Sequence, residues 1–580
     1  MSSFSIEQFD FNNYGKELLG SNKRGKNWPV VYLIHNDNTM YVGETSSAYY
    51  RFEQHLNNVV RKDLKKVEII FDDEFNKSAI LDIEQTLIQI IGADGKYHLQ
   101  NLNGGQSSKH NYYQREKYVN KISLIWNELL KRNLARNSYQ EIINSNIFKY
   151  SPYNTLTEEQ NNIASEIIYD ALTRLENNQK GVSVIQGKAG TGKTILLINI
   201  IFKIIAAARI NYDFTAEDDD LTDNMALYHA IKEFTLKNYM PKIGFVVPMT
   251  SLRKTMEKVF KGIGNGLSPK MVIGPLDVVK EHYDILFVDE AHRLADYKFV
   301  TYHDQYKKAA AKVGLDENST SLDFIMKSSK YQVLVFDEKQ TVKKSDITIN
   351  QFNRAVNTSP FRRDFVLHTQ MRCKGGSTYI DYVDDILNCQ ASSRLDVIDY
   401  DLRLYDDVND MVTTIKSLDK TYGLCRNAAG YSWEWVSKKC KTYEEAVSKG
   451  LYDIVIGDYK YIWNMNDKEF ILSDNAINEI GCIHTLQGYD LNYVGLIFGR
   501  EIDYDPINNK MIINPKYIYD KGIKLELNDI NNLNTKIKSY IINSYKVIMT
   551  RGIKGCYAYA CNENLRKYLS KFMDEVKKNG

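Results

Sequence analysis

Eight consecutive residues, Gly187-Lys188-Ala189-Gly190-Thr191-Gly192-Lys193-Thr194, follow the pattern G-x-x-x-x-G-K-[ST]. Gly187, Gly190 and Gly192 let successive backbone N–H groups converge on one polyphosphate, Lys193 can reach its outer oxygens, and the Thr194 hydroxyl can ligate Mg2+. Such a loop needs a strand before it and a helix after it. Val182–Gln186 and the run from Ile195 to Asn199 meet that need. Downstream, Tyr283-Asp284-Ile285-Leu286-Phe287-Val288-Asp289-Glu290-Ala291-His292 ends an apolar strand on two acids. Asp289 is suited to hold the metal, usually through water, and Glu290 to polarise an attacking water. An apolar strand ending in two acids is as often ordinary surface when taken alone; paired with Lys193 and Thr194 it predicts a Mg2+-dependent nucleoside triphosphatase.

A second group lies near the start of the chain. Val30-Val31-Tyr32-Leu33-Ile34 and Tyr41-Val42-Gly43 read as two short strands joined by the turn-rich Asn36-Asp37-Asn38, a hairpin that brings both tyrosines together. Arg51 and His55 follow one helical turn apart, and Glu84 falls in a helical stretch, Ile80–Ile91. An arginine, a lone carboxylate, tyrosine hydroxyls and a histidine suit single-metal phosphodiester hydrolysis. In that chemistry Glu84 binds Mg2+, Arg51 steadies the phosphate, and a tyrosinate or histidine relays the proton.

The elements that must carry these groups belong to a folded chain of several domains: 580 residues, 43% hydrophobic and 26% charged, with 32 Gly and only 9 Pro, exclude disordered and collagen-like classes. Seventy-five Lys plus Arg against 73 Asp plus Glu leave +2, so a polyanionic partner must be met by local basic strips. Seven cysteines without a C-x-x-C pair argue against a zinc finger or a disulfide scaffold and fit a reducing cytoplasm. No secretory signal is visible, and Thr194–Ile210, the most apolar stretch, reads as a buried helix rather than a membrane segment. The Gly/Ser-rich Asn103–Ser108 marks a seam, and about Tyr112–Leu134 repeats Val119, Ile122, Ile125, Trp126, Leu129 and Leu130 at helical spacing. Apolar runs at Val182–Gln186, Ile243–Val247, Ile285–Val288, Val333–Phe336, Tyr493–Phe498 and Val547–Met549 predict buried strands of parallel sheets with helices on both faces. The acidic Thr215–Asp220 reads as a solvated loop, and Asn388–Ser448 gives no clear pattern.

Further segments recur in order around the phosphate loop: Leu156-Thr157-Glu158-Glu159-Gln160, Val247-Pro248-Met249-Thr250-Ser251-Leu252-Arg253, Phe336-Asp337-Glu338-Lys339-Gln340, Thr369-Gln370-Met371-Arg372, His484-Thr485-Leu486-Gln487-Gly488 and Met549-Thr550-Arg551-Gly552. Together they resemble superfamily 1 helicases, most closely the Schlafen-related helicase-like domains of bacteria, over roughly Tyr150 to Leu569. The resemblance implies that Gln160 reads the adenine edge, Gln340 senses the γ-phosphate, and Arg372 and Arg551 neutralise phosphoryl charge from a second lobe. It makes His484, Gln487 and Val247–Arg253 candidate couplers to a nucleic-acid strand.

The N-terminal group resembles the GIY-YIG endonucleases over about Trp28–Gly105, with Asn101 matching the asparagine near the end of that domain. The first motif reads Val-Val-Tyr where Gly-Ile-Tyr is usual; Tyr32 is retained. The expected fold is α/β: a small GIY-YIG nuclease domain followed by two RecA-like parallel-sheet lobes. Its divisions are residues 1–27, an N-terminal extension; 28–106, the nuclease; 107–150, a helical connector; 151–365, the first, ATP-binding lobe; and 366–580, the second lobe with insertions. The expected function is an ATP-dependent helicase or translocase coupled to a Mg2+-dependent endonuclease that cleaves DNA, in bacterial defence against phage or foreign DNA. The alternatives are a nucleotide-gated binding switch controlling the nuclease without strand separation, and a repair nuclease-helicase. The partner is nucleic acid, DNA ahead of RNA, with no membrane; a homo-oligomer or a partner protein are further candidates.

Overall fold

Five strands form the first sheet: Phe4–Asp10 (β1), Val30–His35 (β2), Thr39–Thr45 (β3), Lys66–Asp72 (β4) and His98–Leu99 (β5). Their order is β1-β4-β2-β3-β5, antiparallel except between β3 and β5. The β2–β3 turn closes because the Asn36 side chain accepts from the Asn38 and Thr39 amides. Alternation then sends Val30, Tyr32 and Ile34 to one face, with Phe11, Leu19 and Phe52 of the layer built from Asn13–Ser21 (α1) and Ala48–Leu56 (α2). Val31 and Leu33 turn the other way, onto Ile80, Ile83 and Leu87 of Lys77–Asp94 (α3). Residues 4–21, read from sequence as part of an extension, thus supply an edge strand and a helix of this body. The computed structural model describes residues 4–101, 112–187, 190–209, 225–300, 302–316, 318–337, 346–369, 375–395, 400–465, 470–473, 475–486, 490–519 and 537–577. The Asn103–Ser108 seam and the acidic Thr215–Asp220 lie outside these residues.

Arg115–Lys131 (α4) buries Tyr118, Ile122, Ile125, Trp126 and Leu129. Val119, expected on the packed side, is 49% exposed, because Tyr118 takes the inner position and its hydroxyl donates to the Glu74 carbonyl at 2.6 Å. Lys121, almost fully buried, reaches Asp72 at 2.6 Å and Glu74 at 2.7 Å, pinning α4 to the end of β4. Tyr139–Asn144 (α5) and Asn146–Lys149 (α6) then pack against α3. They also bond to carbonyls far along the chain: Asn144 Nδ2 donates to Tyr422 O at 3.0 Å and Lys149 Nζ to Asp490 O at 2.9 Å.

After Glu158–Glu176 (α7) come Gly181–Gly187 (β6), Lys193–Ala207 (α8), Ile243–Val246 (β7), Val272–Ile273 (β8), Tyr283–Val288 (β9), Ser329–Phe336 (β10) and Arg362–Leu367 (β11). The six strands form one wholly parallel sheet, β11-β6-β10-β9-β7-β8. Its apolar face toward α7 and α8 continues into the core of the N-terminal body. Tyr153 is the joint, with its ring 5.4 Å from that of Phe202 on α8 and packed over Gly92 of α3.

The second lobe contains Asp401–Tyr405 (β12), Arg426–Ala429 (β13), Ile480–Gly481 (β16), Leu491–Phe498 (β17), Gly552–Ala560 (β20) and Asp574–Val576 (β21), with Ile454–Ile456 (β14) and Tyr459–Tyr461 (β15), and Ile502–Asp505 (β18) and Lys510–Ile513 (β19), as separate hairpins. Its main sheet is again all parallel, β16-β13-β17-β20-β12-β21. The unreadable Asn388–Ser448 supplies β12, β13 and the helix Val408–Tyr422. Val547–Met549, expected as a strand, instead ends the helix Lys538–Met549. Ile541, Ile542, Tyr545, Ile548 and Met549 are buried at helical spacing, so the short apolar run is the inner face of a helix.

The Lys121 network gives a stability test. Lys121→Ala leaves the fully buried Asp72 without its cation and is expected to cost about 3 kcal/mol, whereas Lys117→Ala, removing a half-exposed partner of Glu74, costs about 0.5 kcal/mol or less. Urea unfolding of the two variants beside the parent measures both.

Candidate functional site

A parallel sheet covered by helices gathers polar groups beyond the carboxyl ends of its strands. Here β6 delivers the glycine loop, β9 the acidic pair and β10 Asp337. Gly190 and Gly192 have φ of 83° and 74°, conformations that side chains resist, and Gly192 caps the start of α8. Lys188 and Ala189 lie outside the described residues. Lys193 Nζ donates to Gly187 O at 2.6 Å and stands 3.6 Å from Asp337 Oδ2. The Thr194 hydroxyl donates to Asp289 Oδ2 at 2.8 Å. Asp289 is fully buried: burial first, then the Glu290 charge, push its carboxyl well above the usual range, with Thr194 and Lys193 pulling the other way. Two oxygen donors of this kind, one an electrostatically unsatisfied carboxylate, fit Mg2+.

Glu290 occupies the left-handed region at φ 51°. Burial would raise its carboxyl, but His292, Lys193 and Arg293 outweigh that and hold it below the usual range. His292 is fully buried; its Nδ1 accepts from Asp337 N at 3.3 Å, and its Nε2 stands 2.9 Å from Glu290 Oε2. One imidazole thus stands between the acid that follows β9 and the end of β10.

The first turn of α7 braces the site from behind. Gln160 closes a capping box with Thr157, and its Nε2 donates to Thr191 O of the glycine loop at 2.9 Å. In this arrangement Gln160 holds the loop. Glu159 accepts from the backbone N–H groups of His368 at 3.0 Å and Thr369 at 3.1 Å, anchoring the segment that leaves β11 for the second lobe. Arg372 and Gln340 lie outside the described residues, as do Gln487 and the His484 side chain. Arg551 is buried just beyond the helix Lys538–Met549, its carbonyl accepting from Leu491 N at the start of β17. Arg253, expected among the couplers to a strand, turns its guanidinium onto Val247 O at 3.1 Å and Pro248 O at 3.3 Å, bracing its own loop.

In the N-terminal body Tyr32, Tyr41, Arg51 and His55 form one cluster. The Tyr32 hydroxyl lies 2.7 Å from His55 Nε2 and accepts from Arg51 Nε at 3.3 Å; the Tyr32 and Tyr41 rings are 6.3 Å apart. Tyr32 is cross-strand from Gly43, and a Cβ there would meet the Tyr32 oxygen at 2.3 Å. That glycine therefore makes room for the phenol. Asn101 touches main chain: Oδ1 accepts from Val42 N at 3.0 Å and Nδ2 donates to Val42 O at 2.9 Å, fixing the strand between Tyr41 and Gly43. Glu84 is half-buried on α3. Sequence reading passed over Arg61, whose guanidinium covers the Tyr41 ring at 3.8 Å and contacts His55 Nδ1. Its neighbours give no spacing signal, since the 3-10 turn Val59–Arg61 brings it back to the helix. Asp337 and His292 were legible as neighbours of the motifs but not as partners of Lys193 and Glu290.

Two outcomes follow from this geometry. Gly43→Ala should cost about 1–3 kcal/mol in urea unfolding by forcing Tyr32 aside. Asp289 prefers to be protonated in the fold, so without Mg2+ and nucleotide it withdraws stability as pH rises from about 4 through about 7. Asp289→Asn should therefore match the parent at the acid end and exceed it by on the order of 1 kcal/mol at the alkaline end.

Residues 180–562, about two thirds of the chain, match the family described as Schlafen group 3, DNA/RNA helicase domain. An uncharacterised protein of Saccharomyces cerevisiae is 25% identical over 449 residues, covering 72% of this chain and 90% of its own length. Among solved structures, an ADP-bound S. cerevisiae Dbp5 aligns over 73% of this chain and 96% of its own at 11% identity and TM-score 0.30. The Pif1 helicase of Candida albicans aligns over 72% and 98% at 13% identity and TM-score 0.26. Neither is a close superposition. By the match over residues 180–562, the chain belongs to the Schlafen group 3 DNA/RNA helicase-domain family.

Proposed function

We propose that the chain is an ATP-driven nucleic-acid translocase or helicase carrying a Mg2+-dependent endonuclease that cuts DNA. The observation that carries the motor reading is the Thr194 hydroxyl bonded to the buried Asp289 at 2.8 Å beside Lys193. Thr194 and Asp289 would hold Mg2+, which would supply positive charge to the bound phosphates. Lys193 leaves Gly187 O for the γ-phosphate, and Glu290, held by His292, takes a proton from water as its oxygen bonds to the γ-phosphorus and the bond to the β–γ bridging oxygen breaks. Arg372 and Arg551 complete the charge when the second lobe closes.

Support for the nuclease comes from the contacts among Tyr32, His55 and Arg51 and from the Asn101 clamp on Val42. In this reading Tyr32 takes a proton from the attacking water and Arg51 holds the phosphate. The water oxygen bonds to phosphorus, the bond to the leaving sugar oxygen breaks, and that oxygen is protonated by solvent. Glu84 would hold the Mg2+. A role in defence against foreign DNA rests on the joining of these two activities.

Lys193→Ala and Glu290→Gln should each lower ATP turnover by at least about 100-fold. Glu84→Ala should abolish cutting and keep ATP turnover. Parent-level hydrolysis by Lys193→Ala would remove the motor reading; parent-level cutting by Glu84→Ala would remove the nuclease.

A further inference from the structure

We propose that Arg61 is a positioning residue of the nuclease centre: it sets the tautomer of His55 and thereby makes the Tyr32 oxygen an acceptor. The inference rests on the nuclease reading and deepens it. Arg61 is 9% exposed, fixed over the Tyr41 ring, and its Nη1 meets His55 Nδ1. A guanidinium only donates, so Nδ1 must accept. The neutral imidazole then carries its proton on Nε2, which faces the Tyr32 oxygen at 2.7 Å. Arg51 Nε donates to the same oxygen.

Two donors, one cationic, thus converge on Tyr32, an arrangement that favours its anionic form. This decides between the two proton relays open in the sequence: His55 donates to Tyr32 and cannot take its proton. The surroundings keep the ring neutral. Burial first, then the charges of Arg61 and Arg51, push the imidazole down to about 2. The other ring against it is that of Tyr41, 5.2 Å away. Water attacking a phosphodiester would lose its proton to the Tyr32 oxygen, and His55 and Arg51 would hold that oxygen ready.

The test uses the full chain with 15N-labelled histidine, the His55 signals being identified by their loss in His55→Asn. The expected spectrum has Nδ1 unprotonated, Nε2 protonated and no titration between about pH 5 and 8. A proton on Nδ1, or a ring that titrates in that range, overturns the proposal. Arg61→Met, which keeps bulk and loses the donors, should cut DNA about 10- to 100-fold more slowly and gain an acid limb in its pH–rate profile, with Arg61→Lys recovering part of the rate. ATP turnover at the parent rate shows that the variant is folded, and if it is not, the tautomer in the parent decides. A folded Arg61→Met with the parent's rate and profile also overturns the proposal. If parent and Glu84→Ala alike leave every nucleic acid intact, the nuclease reading fails, and the role of Arg61 in it fails whatever the tautomer.

Discussion

A parallel sheet that is apolar on both faces can hold ionisable groups only at its ends, and this constraint organises the first lobe. Lys193, Thr194, Asp289, Glu290 and Asp337 all stand just beyond strands β6, β9 and β10, whose interiors are mainly Val, Ile, Leu and Phe. The desolvation that makes Asp289 costly is the same property that suits it to a divalent cation. Around it Gln160 donates to Thr191 O, Lys193 donates to Gly187 O, and His292 accepts from Asp337 N.

The N-terminal body is joined to that lobe by packing rather than by a loose tether. Trp126 of α4, Ile83 and Leu87 of α3, Tyr153, and Phe202 of α8 belong to one continuous apolar core. Asn265, after the helix Thr250–Ile263, donates to Leu99 O at 2.9 Å and Tyr153 OH at 2.8 Å, two residues from the Asn101 clamp. The second lobe meets this unit through polar bonds to main-chain carbonyls, such as Asn144 on Tyr422 and Lys149 on Asp490. Apolar burial over a wide area resists separation, while a few such bonds exchange readily with water. Motion is therefore expected between the second lobe and the rest.

The glycine loop and the acidic pair were legible in sequence because their chemistry is local: the spacing from Gly187 to Thr194 is the geometry. Strands β6, β7, β9, β10 and β17 were legible as apolar runs of four or more residues, but the other strands of the two parallel sheets, such as β11, β12, β13 and β20, were not read, and the three residues Val547–Met549 could not separate a strand from the inner side of a helix. Val119 was misplaced because two adjacent residues compete for one inward position, and a hydroxyl bond at Tyr118 settled it. Asn101 came by resemblance and gained a mechanical role from its two bonds to Val42. Arg61, His292 and Asn265 were invisible in their roles, since those depend on partners brought together by turns or by separations as long as the 166 residues between Asn265 and Leu99.

The central claim, that the nucleotide site drives movement on a nucleic acid, is tested most directly by steady-state ATP hydrolysis of purified Glu84→Ala, which spares the substrate, with no nucleic acid, single-stranded DNA, duplex DNA or single-stranded RNA. The account predicts stimulation of at least about tenfold by one of them, and by DNA ahead of RNA. An equally slow rate in all four conditions would contradict a motor and leave a nucleotide-gated switch in its place.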